Sequence, residues 1–325
     1  MNEHPARRLW LAQAAALACA GLGRQVRAEG ESMRVLCGFA PGGSVDALAR
    51  QAAELIGPAL GRQAIVENVT GAAGRIAVER VKAAPPDGST LLVGPQGPMT
   101  LFPFVFKHLG FDPAKDFTPL ARLALGDFAL TTGPLTGAKT VAEFRSWVLA
   151  HPDKSSFGSP GAGTLPHFLG LRIASAMGVK MTHVPYRGSA LSMNDLAAGT
   201  LAATVSPVTE ALALHKAGRV RILATASAQR SPFLDGVPTL DESGYHVDLP
   251  VWFGLWGPAG MAPALAQKIN QAIAQGQAEP AQKARLALLA LTPAPVSGAE
   301  LAALELREAA MLRPIVAASG FTPGD

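Results

Sequence analysis

The sequence predicts an α/β protein built as two lobes, and two observations carry that prediction. From residue 34 onward, short apolar runs rich in β-branched residues alternate with amphipathic runs of helical period, a pattern typical of βαβ units around a parallel sheet. A second series of the same kind begins near residue 128 with no Gly/Ser linker before it, so two lobes joined by short crossing segments are expected. The chain has 325 residues, 49% of them hydrophobic and 16% charged. This length and hydrophobic content are sufficient to form hydrophobic cores.

The N-terminal segment, residues 1–28, predicts an export signal. It holds four arginines against a single glutamate, an uncharged stretch over 9–23, and small or apolar residues before a cleavage point near Ala28. The apolar stretch is shorter than the ~20 residues that a membrane span needs, so we expect a periplasmic protein. The open alternatives are an ordinary N-terminal helix or anchor, lipid attachment at Cys19, and either Sec or twin-arginine export.

The charge balance argues against nucleic acid as a partner. The whole chain carries 28 basic and 24 acidic residues, of which four and one lie within 1–28, leaving 24 and 23. A nearly neutral mature chain with two tyrosines and no basic run has few groups that could bind a phosphate backbone or stack on bases. Cleavage near Ala28 would leave Cys37 as the remaining cysteine, so no intrachain disulfide is expected, and in an apolar strand this side chain should be buried.

The first series opens with a strand, a tight glycine turn and a helix. An apolar run from Val35 leads into Pro41-Gly42-Gly43, and Ser44 begins an amphipathic run that Gly57-Pro58 should weaken or end, with Gly61 marking its exit. Adjacent glycines let the backbone approach a ligand closely, and the first turn of a helix presents unpaired N–H groups at the positive end of its dipole. The turn therefore predicts an anion-binding seat.

Two further strands complete the first series. They are expected over 64–69 and 89–94, each followed by a glycine-containing loop, 71–74 and 95–98, with a helix to about residue 84 between them. A parallel sheet collects such loops on one edge, where ligands of open α/β sheets bind.

The second series repeats the design of the first. Strands are expected over 128–132, 181–184, 202–206 and 220–225, with another ending at Ser159, and helices over 141–150 and about 164–177. The segment Gly158-Ser159-Pro160-Gly161-Ala162-Gly163-Thr164 forms a second glycine turn before a helix. Two such seats suit the two ends of a dicarboxylate, or a carboxylate and another polar group, because neutral backbone donors are desolvated at low cost.

The last part of the chain is expected to return to the first lobe. An apolar run over 251–256 is followed by a mostly helical stretch from Pro263 to about residue 318.

Enzyme and metal motifs are absent from the sequence. It contains no G-x-x-x-x-G-K-[ST], no H-E-x-x-H, no C-x-x-C and no G-x-S-x-G elbow at a strand end. Pro166 stands where a dinucleotide fingerprint beginning at Gly161 needs its third glycine, and the histidines show no metal-ligand spacing. We therefore expect no cofactor, no metal and no catalysis.

The enzymatic alternative is an exported hydrolase or transferase with Ser44 or Ser159 as nucleophile and His167 as base. No third group that could orient the base stands at a recognisable spacing. Two residues keep two interpretations each. His167 either contacts a ligand or packs locally to hold its loop, and Asp46 either contacts a ligand or complements its helix N-terminus and binds loop amides.

The most specific motifs run through the whole mature chain. They are Phe39-Ala40-Pro41-Gly42-Gly43-Ser44-Val45-Asp46 with Ala49-Arg50, Val66-Glu67-Asn68 with Gly71-Ala72-Ala73-Gly74, Pro86-Asp87-Gly88-Ser89-Thr90-Leu91-Leu92, Phe111-Asp112-Pro113-Ala114-Lys115-Asp116-Phe117, His183-Val184-Pro185-Tyr186-Arg187-Gly188, Val237-Pro238-Thr239-Leu240, Trp252-Phe253-Gly254-Leu255 and Gly257-Pro258-Ala259-Gly260. In order and spacing, these motifs resemble the substrate-binding proteins of tripartite tricarboxylate transporters, the Bug-type periplasmic receptors.

The resemblance implies a two-lobed type II periplasmic-binding-protein fold, a Venus flytrap with its ligand cleft between the lobes. Residues 29–130 plus 252–325 would form lobe 1, and 131–251 would form lobe 2. The function implied is capture of a small organic carboxylate by lobe closure and its delivery to integral-membrane permease subunits. A receptor that signals instead of transporting is the alternative, and a monomer is expected.

The resemblance also implies the ligand contacts, carried over by motif. One carboxylate would be held by the loop over 39–46, and the opposing group by the loop over 159–164 with His167, while the loop over 96–100 would help select the ligand. The candidate ligand-binding residues are Phe39, Pro41, Gly42, Gly43, Ser44, Asp46, Gln96, Thr100, Ser159, Gly161, Ala162, Gly163, Thr164, His167 and Ser206.

Two departures from the family pattern change the expected ligand. Ala202 and Ser206 stand where members of the family commonly carry aspartates. A partner for a ligand ammonium group is thus missing there, so a plain di- or monocarboxylate is favoured over an amino acid. Gly38 replaces the usual proline, which should loosen that strand end.

Overall fold

The structure is a computed structural model that describes residues 32–319 and 321. Its strands, in chain order, are β1 (Met33–Cys37), β2 (Ala64–Asn68), β3 (Thr90–Pro95), β4 (Phe117–Gly126), β5 (Phe128–Thr132), β6 (Ser156–Ser159), β7 (Thr182–Pro185), β8 (Ala203–Pro207), β9 (Arg221–Thr225), β10 (Val251–Pro258) and β11 (Thr292–Val296). Its α-helices are α1 (Ser44–Leu60), α2 (Arg75–Lys82), α3 (Gly97–Thr100), α4 (Val141–Ala150), α5 (Leu165–Ala176), α6 (Ser189–Ala198), α7 (Val208–Lys216), α8 (Pro263–Ala278), α9 (Pro280–Ala287) and α10 (Gly298–Ala318). The predicted signal peptide and Cys19 lie outside the described residues.

The strands form two sheets, as the two series in the sequence predicted. The six-stranded sheet has the order β11-β4-β10-β3-β1-β2, and the five-stranded sheet has the order β7-β6-β8-β5-β9. We call the part of the chain around the first sheet lobe 1 and the part around the second lobe 2. The chain changes sheet at Asp127 and returns with β10 at Val251, so the boundaries predicted after residues 130 and 251 lie within β5 and β10.

The parallel centre of lobe 1 brings its strand ends together. β1 pairs in parallel with both β2 and β3, with Val35 opposite Val66 on one side and Leu91 on the other. The loops that follow these three strands therefore leave the same edge of the sheet, as predicted. β10 and β4 complete the sheet in antiparallel pairing.

The local predictions had mixed outcomes. Gly57-Pro58 does not end the first helix, which continues to Leu60, and Gly61 terminates it as expected, with φ +66° and with its N–H donated to the Gly57 and Pro58 carbonyls. β4 was not predicted, and β11 lies within the C-terminal stretch that was expected to be mostly helical. The return of the C-terminal helices is confirmed, since α8 packs against α1 and α10 against β4.

Two properties of the described residues bear on function. None of the helices within 32–319 combines the length and apolar character needed to cross a membrane. In the same part of the chain, no group of three or more His, Cys, Asp or Glu side chains is arranged to hold a metal ion.

Candidate functional site

The first glycine loop is held in shape by Asp46. Gly42 has φ +89°, and its N–H donates to Asp46 Oδ2 over 3.0 Å. The same carboxylate accepts from Arg50 Nε and from Asn68 Nδ2, each at 3.0 Å. Burial alone would raise the pKa of Asp46, but hydrogen bonds from Arg50, Gly42 and Asn68 outweigh it and lower the pKa. Asp46 is thus fully engaged in fixing the loop, which supports its structural interpretation.

The rest of this loop lies where the helix begins. Gly43 is the N-cap of α1 in an extended conformation and has no side chain to cap it, while Pro41 and Gly42 are exposed and Ser44 is buried. The carbonyl of Phe39 accepts a hydrogen bond from Asn68 Nδ2 at 3.0 Å. Asn68, at the end of β2, therefore ties both ends of the loop together.

Gly38 has a packing role that the sequence did not suggest. A Cβ at this position would lie 2.7 Å from the Cα of Gly74, in the neighbouring loop. Real Cβ atoms essentially never approach backbone so closely, so a side chain here would push the two loops apart. The residue expected to loosen the strand end instead lets two loops pack against each other.

The second glycine loop closes on itself through side chains of lobe 2. Thr164 Oγ1 donates to the Gly161 carbonyl at 2.7 Å, and the Gly163 N–H donates to His167 Nδ1 at 3.2 Å. The Gly161 N–H reaches Ser159 Oγ at 3.4 Å. His167 is only 6% exposed, so its contact with Gly163 supports the interpretation that it holds the loop.

Within this loop, the N–H groups of Ala162 and Thr164 find no acceptor among the residues that the structure describes. They are the donors that the loop can offer to a ligand.

A pair of stacked histidines lies beneath this loop. The rings of His167 and His183 stack with centroids 3.7 Å apart, and Ser159 Oγ lies 2.8 Å from His183 Nε2. Burial lowers the pKa of each histidine to about 4, and for His183 the nearby His167 adds to the effect. Ser159 therefore contacts His183 and not His167, the base of the enzymatic alternative. Both rings are neutral at pH 7.

The tail after α10 reaches across to the same rings. Phe321 contacts His167 edge to face with centroids 5.7 Å apart, and Phe168 with centroids 5.2 Å apart. The second loop also touches lobe 1 directly, because a Cβ at Gly163 would lie 2.5 Å from Cγ1 of Val105. Both glycine loops thus lie at the contact between the lobes.

Gln96 and Thr100 find their partners at β10 and α10 and at Pro250, directly before β10. Gln96 donates to the Pro250 carbonyl at 3.0 Å and accepts from the Trp252 N–H at 3.1 Å. Thr100 Oγ1 lies 3.2 Å from Glu308 Oε1. Both side chains are fully buried, so the expectation that they touch the ligand has no support in this geometry.

Ser206 is likewise buried at the end of β8, and its hydroxyl lies 3.5 Å from the Pro207 carbonyl.

Sequence reasoning missed Glu210, in the first turn of α7. Its Oε1 accepts a long hydrogen bond, 3.4 Å, from Ser44 Oγ of lobe 1. The next residue back, Thr209, donates its hydroxyl to the Leu289 carbonyl of lobe 1 at 2.7 Å. The available signal was an acidic residue one helical turn after Ser206, but its meaning depends on how the lobes meet.

The fold and these loops define a class of protein, the two-lobed α/β solute-binding proteins. Two sheets of different topology each present a strand, a glycine loop and a helix at the contact between the lobes. Residues 48–321 match the family described as the tripartite tricarboxylate transporter family receptor. Because this match spans most of the chain, the protein belongs to that family.

Individual relatives agree with this assignment. The chain is 31% identical to the "UPF0065 protein in gbd 5'region" of Cupriavidus necator, over 87% of this chain and 86% of that one. A structure of R. palustris Rpa4515 with adipate matches with a TM-score of 0.86 at 27% identity, covering 90% of this chain and 98% of that one. MatC from Rhodopseudomonas palustris, with bound malate, matches with a TM-score of 0.80 at 28% identity, covering 88% and 98%.

The family and these structures are solute-binding receptors and not enzymes. The expectation that this protein is not an enzyme is therefore confirmed, and the contact of Ser159 with His183 is part of a binding fold.

Proposed function

We propose that this protein is an extracytoplasmic receptor that captures a small organic carboxylate by lobe closure, for a transporter of the tripartite tricarboxylate type. The observation that carries the proposal is that each lobe contributes a glycine loop at a strand-to-helix junction where the lobes meet. Ser44 of the first loop contacts Glu210 of lobe 2, and Gly163 of the second packs against Val105 of lobe 1. A molecule bound by both loops would favour the closed arrangement.

Several further observations support a carboxylate as the ligand. Backbone N–H groups at helix starts bind anions, and those of Ala162 and Thr164 find no acceptor among the described residues. The related proteins Rpa4515 and MatC were solved with adipate and malate. A periplasmic location is supported by the family and by the N-terminal pattern of residues 1–28.

Ligand screening of the exported protein, purified without refolding, tests the proposal. Thermal unfolding and calorimetry are run with C4 to C8 mono- and dicarboxylates, their amino derivatives and aromatic acids. At least one compound should raise the melting temperature and bind with a 1:1 heat signature. If no carboxylate in the panel stabilises the protein, the proposal is wrong.

A pair of glycine variants locates the binding. Gly42→Ala adds a methyl group to the first loop at φ +89°, and Gly61→Ala adds one at φ +66° at the end of α1, each with open space around it. Because both variants carry similar backbone strain, strain alone does not distinguish them. Ligand binding should weaken only in Gly42→Ala, whose methyl group lies in the first loop. Equal affinities for the two variants would contradict a site at the first loop.

Transport and signalling are separated in the living cell. If the receptor feeds a permease, deletion of the permease subunits abolishes uptake of the labelled ligand and leaves binding intact. Survival of both the uptake and a receptor-dependent response to the ligand after this deletion would favour the signalling alternative.

A further inference from the structure

Glu210 occupies the place that the sequence assigned to a ligand carboxylate. Its Oε1 accepts from Ser44 Oγ at 3.4 Å, and a Cβ at Gly43 would lie 3.4 Å from the same oxygen. The Ser44 backbone N–H also faces this carboxylate and favours its ionised form. The first seat therefore already holds a carboxylate, supplied by the opposite lobe.

Within the part of the chain that the structure describes, no cation neutralises this carboxylate. Among residues 32–319 and 321, none of the ion pairs includes Glu210. Arg50, on the helix that follows the first loop, is bound to Asp46 in a two-point contact at 3.0 and 3.1 Å. Burial raises the pKa of Glu210, and the hydrogen bonds from Ser44 oppose that shift only in part.

A ligand carboxylate at this seat would meet Glu210 at close range. Two carboxylates that share a site cannot both stay ionised, and each would compete for the donors of Ser44. A cationic amino group has the opposite effect, since it donates to Glu210 and replaces the water lost on burial. The second loop, with the N–H groups of Ala162 and Thr164, is left for the ligand carboxylate.

We propose that Glu210 is a specificity-determining residue that receives a cationic amino group of the ligand, so that the preferred ligand is an amino carboxylate. The inference rests on the proposed function, because it names the ligand class of that same site. It reverses the expectation drawn from Ala202 and Ser206, which considered only positions on β8. The carboxylate that those positions lack is supplied one helical turn later, on α7.

Calorimetry with matched ligand pairs tests the inference. Each pair differs in the presence of an amino group: succinate and aspartate, glutarate and glutamate, butyrate and 4-aminobutyrate. The wild-type protein should bind the amino member of at least one pair about tenfold or more tightly, the size expected for a hydrogen bond between charged groups. A dicarboxylate that binds as tightly as its amino derivative, with no amino member preferred, would overturn the inference and leave the proposed function standing.

Two glutamine variants show whether the preference comes from Glu210. Glu210→Gln keeps the size of the side chain and removes its charge, so the preference for the amino member should fall to near unity. Glu143→Gln is the matched control, because Glu143 lies at the same position in the first turn of α4, is exposed, and bonds to Lys139 of its own lobe. It should keep the wild-type preference.

The remaining outcomes are also decisive. An unchanged preference in Glu210→Gln would overturn the inference. If that variant does not fold, the wild-type comparison of the pairs decides the case alone. Binding of no member of any pair and of no other carboxylate would overturn the proposed function, and the inference with it.

Discussion

Two buried glutamates on α10 make the stability of lobe 1 depend on pH. Trp256 Nε1 donates to Glu305 Oε1 at 2.6 Å, and the Trp252 indole donates to Glu308. Both residues are 9% exposed. Burial raises the pKa of Glu305 to about 7, opposed by the bond from Trp256 and increased by the charge of Glu308. Burial also raises the pKa of Glu308.

The sign of the effect follows from where the proton is held. Between the ordinary value of 4.5 and the folded value of about 7, the folded state keeps a proton on Glu305 that the unfolded chain has released. The stabilisation of the folded state that Glu305 contributes is therefore fully present below pH 4.5 and is lost as the pH rises through 7. The difference in pKa corresponds to about 3 kcal/mol.

Glu305→Gln removes this dependence, because the amide still accepts from Trp256 but carries no charge. The free energy of unfolding is measured by urea denaturation of both proteins from pH 4.5 to 8. The variant should match the wild type at pH 4.5 and exceed it by about 3 kcal/mol at pH 8. The comparison uses the difference between the two proteins, since the contribution of the buried histidines to stability also changes below pH 6.5.

The control is Glu300→Gln, at the exposed start of the same helix. The Ser297 backbone N–H donates to this carboxylate and lowers its pKa, so its contribution has the opposite sign and is lost as pH falls. Parallel pH curves for the wild type and Glu305→Gln would refute the reasoning.

Three further predictions concern the loops. Gly163→Ala and Gly178→Ala carry similar strain at φ +72° and +65°, but only the first adds a methyl group against lobe 1. It should weaken ligand binding while Gly178→Ala does not, as measured by calorimetry. Asp46→Asn should cost about 1 to 3 kcal/mol in urea denaturation, because the loop loses a charged acceptor. His167 and His183, with pKa values of about 4, should show NMR ring shifts that stay constant from pH 8 to 6, and their contribution to stability is lost as pH falls from 6.5 to 4. Titration of either of these two rings near pH 6.5 would contradict the prediction.

Local patterns were enough to predict most of the fold. Val141–Ala150 has the predicted bounds, since Thr140 caps it by accepting from Glu143 and the apolar positions recur at helical spacing. β11 was missed because Thr292–Val296 contains two prolines and pairs irregularly at the sheet edge. Its strand character comes from the partner β4, which a local pattern does not contain.

The candidate site was predictable only within each lobe. The glycine turns follow from the order of strand, Gly-rich loop and helix, which neighbouring residues specify. Glu210 was missed because its partner Ser44 is 166 positions away in the sequence. Gln96 looked like a ligand contact, but its amide is used by Pro250 and Trp252, and those contacts depend on the pairing of β3 with β10.

Phe321 has a practical consequence for how the protein is handled. Its ring packs against His167 and Phe168 beneath the second loop. A label or substitution placed at Phe321 would therefore disturb the ring of His167, which holds that loop through the Gly163 N–H. Probes for the binding measurements are better attached away from this residue.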